Sequence, residues 1–549
     1  MSRRWNRFVP CFIIFIMAAL PVQAVEPDAP LHVIDTSEAE VINLRVKLAR
    51  LKRPTQPADY YEINGLDNFY RTHPNSLIWF DGNFLNPKAK KVLAVLQNAL
   101  SWGLDPNHFK LPKDLANGTF AAYSQESKIN AELQISLAIL RYVRYASGGQ
   151  VDPSRISLDF DRRPLLADPS EVFSSITSYH NPKIYLESFH PQHRQFQLLR
   201  KIYLDLIYGS QAKSTSQQST LVAKRKLSKN EKKLLKRLRV NMEMWRWMPR
   251  DLGDRYIWAN IPEYNVRVFD NGQSIYQERI VVGKTKNKTP IFSDEMETIV
   301  FQPYWYVPNS IKVKELLPRL LKGSSTGRLK IAAKIGGREI NPDSVDWHRK
   351  DIRKYVVYQP PGRRNALGEV KFLFPNKHAV YFHDTPKKHL FKRKRRAYSH
   401  GCMRVRRPLE FARVLLAKDR GWSKSRIKYL ARRGPENNTI KLRRKIPVHV
   451  TYFTMWVGNN GKLKVFKDIY QHERLIAKGL NGDIKSVAPP KPEDLGKTRL
   501  QILAGRSAYS ARRLSASQRR ARRRATRYTY APYAENYGYS ISMQSRRTR

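Results

Sequence analysis

Cysteine is nearly absent from this sequence. Only Cys11 and Cys402 occur among the 549 residues, and Cys11 lies in an N-terminal segment with the features of a removable leader. A mature chain with one thiol cannot form an internal disulfide framework, and it cannot build a zinc site from several thiolates. Oxidising compartments pair cysteines or select against them, so an isolated exported thiol favours a chemical role for Cys402 over that of a small buried apolar residue.

Long apolar runs are also scarce. Residues 8–20 form one such run, which follows three arginines and precedes a short segment of small residues ending in alanine. This pattern is typical of a secretory signal peptide over residues 1–24, and it predicts export to the periplasm. An uncleaved N-terminal anchor is the alternative. No later stretch reaches the roughly 18 apolar residues that a membrane-spanning helix needs.

Acidic residues are few: 46 Asp and Glu stand against 101 Lys and Arg, for a formal net charge of +55. Such a charge predicts attraction to polyanions. Export makes nucleic acid the weakest candidate, so we expect contacts with an anionic wall polymer or anionic lipid and no nucleic-acid partner. Residues 481–549 are rich in Arg and lack apolar periodicity, which predicts a disordered basic tail. A solvated, non-specific basic surface is the alternative.

The first half of the chain is predicted to be an arm followed by a helical domain. Residues 25–56 carry no clear fold signal. Residues 57–208 contain apolar residues at helical spacing, and we expect helices over three ranges: 86–102, 130–146 and 190–208. No part of this half combines a nucleophile, a base and an oxyanion donor. The polar, low-complexity residues 209–224 predict a linker.

Residues 225–480 show a different pattern. A basic helix is predicted over residues 225–239, and four strand patterns follow it without intervening helices: 256–261, 265–269, 274–282 and 297–302. Asp270-Asn271-Gly272 is a strong hairpin signal. Successive strands favour an antiparallel sheet or sandwich core, so the predicted fold class is α+β and multidomain. Three further segments have predicted structure: helical then irregular at 310–358, a strand at 379–383 and a helix at 409–417.

The stretch 381–406, YFHDTPKKHLFKRKRRAYSHGCMRVR, contains Cys402 with histidines on both sides. A thiol with an ordinary pKa of about 8.5 needs a base to become a nucleophile near neutral pH. The imidazole of His383 can take that proton and later return it to a leaving group. Gly401 allows a backbone to approach a substrate closely, and Arg404 can hold a carboxylate or a carbonyl.

This stretch resembles the signature of the L,D-transpeptidase catalytic domain: a histidine, a spacer of roughly fifteen residues, Ser/Thr-His-Gly-Cys, and an Arg or Asn two residues later. Six residues match it: His383, Ser399, His400, Gly401, Cys402 and Arg404. The surrounding sequence is similar to the large periplasmic branch of the family over residues 60–475. The resemblance implies a helical scaffold domain at 57–208. It also implies a β-rich, sandwich-like catalytic domain at 225–480, with a capping subdomain inserted at about 310–358.

The resemblance implies a cysteine acyltransferase that acts on peptidoglycan stem peptides. Cys402 would be the nucleophile, and His383 the general base and acid, oriented by the backbone carbonyl of Asp384. Backbone N–H groups at Gly401 and Cys402 would form the oxyanion hole. The resemblance also implies that Ser399, His400 and Arg404 shape the nucleophile loop. His400 itself as the proton acceptor stays open as an alternative.

Four further residues are candidates for substrate contacts: Trp305, Tyr306, Tyr381 and Asp384. The alternative for Trp305 and Tyr306 is a place in the core. No cofactor or metal is expected, because the sequence contains no His-Glu-x-x-His pattern and only one mature thiol. Two other functions remain open: an L,D-carboxypeptidase or hydrolase that uses the same thiol, and a non-catalytic scaffold associated with the wall or membrane.

Overall fold

A computed structural model describes residues 38–51, 57–73, 77–111, 114–115, 122–163, 167–209, 226–323, 326–327, 329–333 and 337–483. It divides into two compact units. The first takes in the described residues up to Leu93 with Lys110–Ala138 and Asp168–His180. The second takes in Ala94–Phe109, Ile139–Ala167 and the described residues from Asn181 onward.

The helices, in chain order, are α1 Glu38–Leu51, α2 Pro57–Thr72, α3 Pro87–Gln97, α4 Gln125–Gly148, α5 Pro153–Ile156, α6 Pro169–Ser178, α7 Pro182–Ser188, α8 Arg194–Tyr208, α9 Lys229–Arg246, α10 Asn309–Ile311, α11 Leu317–Leu320, α12 Pro408–Arg420, α13 Lys424–Arg432 and α14 His472–Leu480. The predicted helices at 86–102, 130–146, 190–208 and 409–417 are confirmed. The basic helix predicted at 225–239 is α9, which begins four residues later and ends seven residues later.

Local capping chemistry sets several of these helix starts. Asp168 accepts hydrogen bonds from the N–H groups of Ser170 and Glu171 at the start of α6, and proline occupies its first turn. Ser228 and Glu231 form a reciprocal capping box at α9. These side chains satisfy N–H groups that have no partner within the helix.

The first unit is built around helices and contains a buried polar cluster at Glu132. Glu132 is fully buried and accepts hydrogen bonds from the N–H groups of Ile78 and Trp79, at 2.7 and 3.0 Å. Its carboxyl group also pairs with the hydroxyl of Tyr70. Burial raises the pKa of Glu132 to about 7, although these donors offset part of the effect.

The strands are β1 Phe80–Asp81, β2 Phe84–Leu85, β3 Arg255–Asn260, β4 Asn265–Asp270, β5 Gln273–Gly283, β6 Phe292–Phe301, β7 Trp305–Tyr306, β8 Lys330–Ala333, β9 Tyr355–Gln359, β10 Val370–Leu373, β11 Phe382–His383, β12 Ala397–Ser399, β13 Met403–Val405, β14 Asn438–Thr451, β15 Met455–Val457 and β16 Leu463–Val465. The four predicted strands correspond to β3, β4, β5 and β6. The segment at 379–383 forms only the two-residue strand β11.

The main sheet of the second unit has the order β12-β5-β13-β11-β10-β6-β14-β3-β4. A further pairing of β4 with β5 closes the sheet on itself. The predicted hairpin joins β4 to β5, and the positive φ angles of Asn271 and Gly272 explain those residue types in the turn. The prediction of a helical region plus a β-rich domain is confirmed.

The antiparallel pairing predicted for this sheet is only partly correct. β3 and β14, β5 and β12, and β11 and β13 are parallel pairs. The two strands of each parallel pair are separated in the sequence by other strands, whereas β3, β4 and β5 follow one another through short turns. Local turn signals therefore revealed the pairs β3–β4 and β4–β5, but neither the parallel pairs nor the distant antiparallel pairs such as β6 with β14.

Residues 305–359 contain a second, smaller sheet with the order β7-β9-β8. It packs on a cluster of buried side chains that includes Leu316, Leu320, Ile352 and Val357. The prediction that this segment is irregular after its helix was wrong, since β8 and β9 form an antiparallel pair. A long loop separates the two strands, so no hairpin signal marks them in the sequence.

The predicted signal peptide, the greater part of the arm, nearly all of the linker and the basic tail after residue 483 lie outside the described residues. Within the arm, residues 38–51 form the helix α1, although the sequence showed no clear fold signal there. The domain boundaries proposed from the sequence stay predictions. In the described part of the chain, no helix has both the length and the apolar character to cross a membrane.

Candidate active site

Two short parallel strands, β11 and β13, bring the two ends of the sequence signature together. In this register His383 lies opposite Arg404, and Phe382 lies opposite Met403. Side chains alternate across a strand, so His383 and Arg404 share one face. Phe382 lies on the other face, where its ring contacts that of Phe411 on α12 at 5.7 Å. The apolar face of the pair therefore fixes the orientation of the polar face.

Cys402 immediately precedes β13 and carries a free thiol. Its Sγ donates a hydrogen bond to the carbonyl oxygen of Ala379 at 3.7 Å, and the next N–H group, at Met403, donates to the carbonyl of Tyr381 at 3.0 Å. The residue as a whole is half-buried, but removal of the sulfur from water raises the pKa of the thiol to about 11. In this arrangement the thiol is neutral and needs a base.

His383 is the candidate for that base, and its imidazole is neutral. Burial, and next the charge of Arg404, lower the pKa of its imidazole to about 3, so the ring is neutral at physiological pH. Its Nδ1 contacts the carbonyl oxygen of Asp384, as expected from the sequence. A carbonyl only accepts hydrogen bonds, so Nδ1 carries the hydrogen and Nε2 keeps a lone pair for a proton. The thiol of Cys402 points to Ala379 and not to this imidazole in the described structure.

The loop before Cys402 is held from one side by the residues after β5. The hydroxyl of Thr289 donates to the carbonyl of Gly401 at 2.7 Å and accepts from the N–H of Gly283 at 2.9 Å. The N–H of Lys284 donates to the carbonyl of Ser399 at 2.8 Å. Gly401 has a φ of +123°, a conformation that favours glycine.

His400 contacts the capping segment. Its Nε2 lies 2.5 Å from Oε1 of Glu315 and 3.3 Å from Nζ of Lys284. Glu315 belongs to the π-helical turn Lys312–Leu316 between α10 and α11. This nitrogen of His400, the alternative proton acceptor, is therefore engaged by the carboxylate of Glu315 in the described structure.

The side chain of Arg404 has an unusual environment. Its Nε atom is buried and makes no hydrogen bond within the described part of the chain. Burial lowers the pKa of this guanidinium, and the neighbouring Cys402 acts in the opposite direction. A buried guanidinium N–H without a partner is a donor that an acceptor group placed next to it would satisfy.

The four candidate substrate contacts fall into different environments. Trp305 packs against the buried cluster of the small sheet, which matches the core alternative, whereas Tyr306 is 47% exposed. Tyr381 is buried with its ring 5.7 Å from that of His383. Asp384 is also buried, and its carboxylate oxygens accept from the N–H groups of Glu369 and Thr385 at 3.0 and 2.6 Å. A direct contact of Asp384 with substrate stays a prediction, as do the roles of the other three.

The sequence analysis missed the residues that surround the thiol from distant segments. Thr289 and Glu315 belong to this group, as does Asp161, which binds the loop that precedes β11. Nothing near these residues in the sequence indicates a site, because the fold alone brings them together. In the described residues, no group of three or more His, Cys, Asp or Glu side chains could hold a metal ion.

Comparisons with known proteins fit this geometry. Residues 254–428 match the model of the L,D-transpeptidase catalytic domain. The chain carries an L,D-transpeptidase catalytic domain. The match contains both His383 and Cys402, and residues 64–202 match the model of a Scaffold domain. The two domains suggested by the sequence resemblance are thus both present.

A curated relative from Haemophilus influenzae, named provisionally as an L,D-transpeptidase, is 33% identical over 223 residues. The match covers 40% of this chain and 45% of the relative, so it spans less than half of either protein. Solved L,D-transpeptidase structures from Mycobacterium smegmatis and Mycobacterium tuberculosis are 12% and 13% identical. Each match covers 36% of this chain. The two matches cover 58% and 61% of the solved chains, with TM-scores of 0.17 and 0.14. Scores this low carry no argument.

Proposed function

We propose that this protein is a peptidoglycan L,D-transpeptidase that forms 3→3 cross-links between stem peptides through an acyl-thioester on Cys402. The observation that carries the proposal is the parallel pairing of β11 with β13. This pairing places the buried, neutral imidazole of His383 next to β13, the strand that begins directly after Cys402. It occurs inside a domain of the matching family.

In the first half-reaction, the sulfur of Cys402 attacks the carbonyl carbon of the third residue of a donor tetrapeptide. Nε2 of His383 accepts the thiol proton and then gives it to the nitrogen of the departing D-alanine. The carbon–nitrogen bond breaks and a carbon–sulfur bond remains. The sulfur must first turn from the carbonyl of Ala379 toward the imidazole, a small side-chain rotation that substrate binding would favour.

In the second half-reaction, the side-chain amine of a diamino acid on an acceptor stem attacks the thioester. His383 takes a proton from that amine and returns one to the departing sulfur, so the enzyme is regenerated as a neutral pair. Backbone N–H groups at Gly401 and Cys402 would stabilise the oxyanion in both steps, and one such donor is typically worth about 3 kcal/mol. The unpaired Nε–H of Arg404 would hold a carbonyl or carboxylate of the stem peptide.

The proposed place of action is the periplasm, which rests on the signal-peptide pattern of residues 1–24. The net charge of +55 supports additional contacts with an anionic wall polymer or lipid through the tail at 481–549. These contacts would hold the enzyme near its polymeric substrate and would weaken as salt is added.

The test uses purified mature protein and disaccharide-tetrapeptide, with products identified by mass spectrometry. A cross-linked dimer that has lost one D-alanine is expected. Cys402→Ala should abolish the product, and Cys402→Ser, which keeps the shape but weakens the nucleophile, should reduce it strongly. Release of monomeric tripeptide without a dimer would instead identify a carboxypeptidase. Absence of any product from folded protein would overturn the enzymatic proposal and favour the scaffold alternative.

A further inference from the structure

The segment from Asp159 to Arg162 lies against the loops that surround Cys402, although it is remote in sequence and falls within the Scaffold-domain match. Phe160 forms a parallel bridge with Ile291. The N–H of Asp161 donates to the carbonyl of Ile291 at 2.8 Å, and the N–H of Ile291 donates to the carbonyl of Asp159 at 2.7 Å. The segment thus adds a short piece of strand to the second unit, to which it belongs.

This attachment is rigid. The buried guanidinium of Arg162 donates to the carbonyls of Phe292 and Val450 at 3.1 and 3.2 Å. Both acceptors belong to strands of the main sheet, β6 and β14. Two hydrogen bonds from one planar group fix the direction of the chain at Arg162, and therefore also at its neighbour Asp161.

The carboxylate of Asp161 reaches the loop between β10 and β11. Oδ1 lies 2.6 Å from Nζ of Lys377, and Oδ2 lies 3.0 Å from Nε2 of His378. Burial opposes ionisation of Asp161, but the hydrogen bonds from Lys377 and His378 outweigh it and lower the pKa of the carboxyl group. At neutral pH, Asp161 is therefore a charged acceptor with a donor on each oxygen.

The loop that Asp161 holds ends at the nucleophile. The side chain of Asn376 accepts from the N–H groups of His378 and Val380, both at 3.1 Å, and closes a tight turn. Within this turn Ala379 has a φ of +52°, a left-handed conformation that is unfavourable for a residue other than glycine. The carbonyl of Ala379 is the group that accepts the hydrogen bond from Sγ of Cys402.

We propose that Asp161 is a positioning residue for Cys402: through Lys377 and His378, its carboxylate holds the strained turn that aims the Ala379 carbonyl at the thiol. The proposal rests on Cys402 being the nucleophile. Asn376 closes the strained turn from within, and Asp161 adds two contacts from outside that hold it against the sheet. Loss of these contacts would free the turn, and the sulfur would lose the fixed resting position from which it turns toward His383.

The central experiment compares Asp161→Ala with Asp161→Asn, which keeps one acceptor oxygen. We expect kcat to fall about tenfold in Asp161→Ala with KM within about twofold, because a misplaced reacting group lowers the rate more than the binding. Asp161→Asn should lie between this variant and the wild type. Asp152→Asn is the matched control, since Asp152 lines the same cleft and caps α5, a role that asparagine also fills.

A second measurement does not depend on the peptidoglycan reaction. The rate of alkylation of Cys402 by iodoacetamide, followed by intact mass, reports the position of the sulfur even if the protein is not a transpeptidase. We expect this rate to change about threefold or more in Asp161→Ala and to stay unchanged in Asp152→Asn, since reactivity follows local environment. Unchanged alkylation and unchanged kcat in folded Asp161→Ala would overturn the proposal.

A third pair of variants covers the case in which Asp161→Ala does not fold. His378→Leu removes the donor to Asp161, whereas His378→Gln keeps a side-chain N–H for it. The proposal expects His378→Leu to reproduce the lower kcat and changed alkylation, and His378→Gln to keep values close to those of the wild type. Equal behaviour of these two variants would contradict it.

Discussion

At the scale of single residues, the site is a neutral pair and not a preformed ion pair. Burial raises the pKa of the Cys402 thiol to about 11 and lowers that of the His383 imidazole to about 3. Desolvation disfavours the charged form of each group, so both shifts have the same cause. Charge would then develop only as the sulfur attacks a bound substrate and the proton moves to His383. The resting thiol stays protonated, and a protonated thiol reacts slowly with oxidants.

The reactivity of the free enzyme should follow from this. With a thiol pKa of about 11, only about one molecule in a thousand carries a thiolate at pH 8. The rate of alkylation of Cys402 should therefore rise about tenfold per pH unit from pH 7 to beyond pH 9. The measurement is the rate of iodoacetamide labelling across this range, with His383→Gln as a comparison that should show a similar rise. A plateau below pH 8 in the wild type alone would reveal a thiolate–imidazolium pair instead.

At the scale of elements, the nucleophile loop is held between two other segments of the second unit. The loop after β5 binds it through Thr289, and the turn after α10 binds it through the pair of Glu315 and His400. The first contact is buried and the second is largely exposed. The first therefore sets the shape of the loop, whereas the second can open without much loss of stability.

Glu315 should consequently affect substrate access more than stability. Glu315→Gln removes the charge that faces His400 and Lys284, an exposed contact worth at most about 1 kcal/mol. We expect KM for the stem peptides to change by a few-fold, with kcat and the melting temperature nearly constant. Steady-state kinetics and thermal unfolding check this, with Lys314→Gln as the control on the neighbouring exposed residue. A large loss of kcat with constant KM would instead give Glu315 a role in the chemical step.

Elements that depend on local sequence were predictable, and those that depend on distant pairing were not. The hairpin at Asn271-Gly272 and the helix at 86–102 have their cause in neighbouring residues, through turn conformation and apolar spacing. The parallel partner of β11 could not be read from residues 382–383, because two residues carry no periodicity. Cys402 and His383 could be identified because they belong to a recognisable local signature. Asp161 could not, because it lies 217 residues before its partner His378 and only the fold brings the two together.

At the scale of the whole molecule, the second unit contains several histidines that are buried in the neutral form. Burial lowers the pKa of His383 to about 3, of His449 to about 4 and of His472 to about 3, and it lowers that of His190 well below the usual value. His472 is fully buried, and neither of its ring nitrogens has a hydrogen-bond partner in the described structure. A proton on this ring would therefore have no acceptor.

These histidines should make the second unit unstable in mild acid. In the unfolded chain each of these histidines binds a proton below about pH 6.5, whereas in the folded chain it does so only below about pH 3 to 4. Unfolding therefore takes up protons between these pH values. The free energy of unfolding consequently falls as the pH falls through 6.5. At pH 5 each such residue can cost up to about 2 kcal/mol. Urea unfolding followed by tryptophan fluorescence should give a lower midpoint at pH 5 than at pH 7.5, because most tryptophans belong to this unit. His472→Gln should reduce the difference between the two midpoints. The raised pKa of Glu132 affects stability in the opposite sense, but Glu132 lies in the first unit. An equal or higher midpoint at pH 5 would show that the histidines are not held neutral.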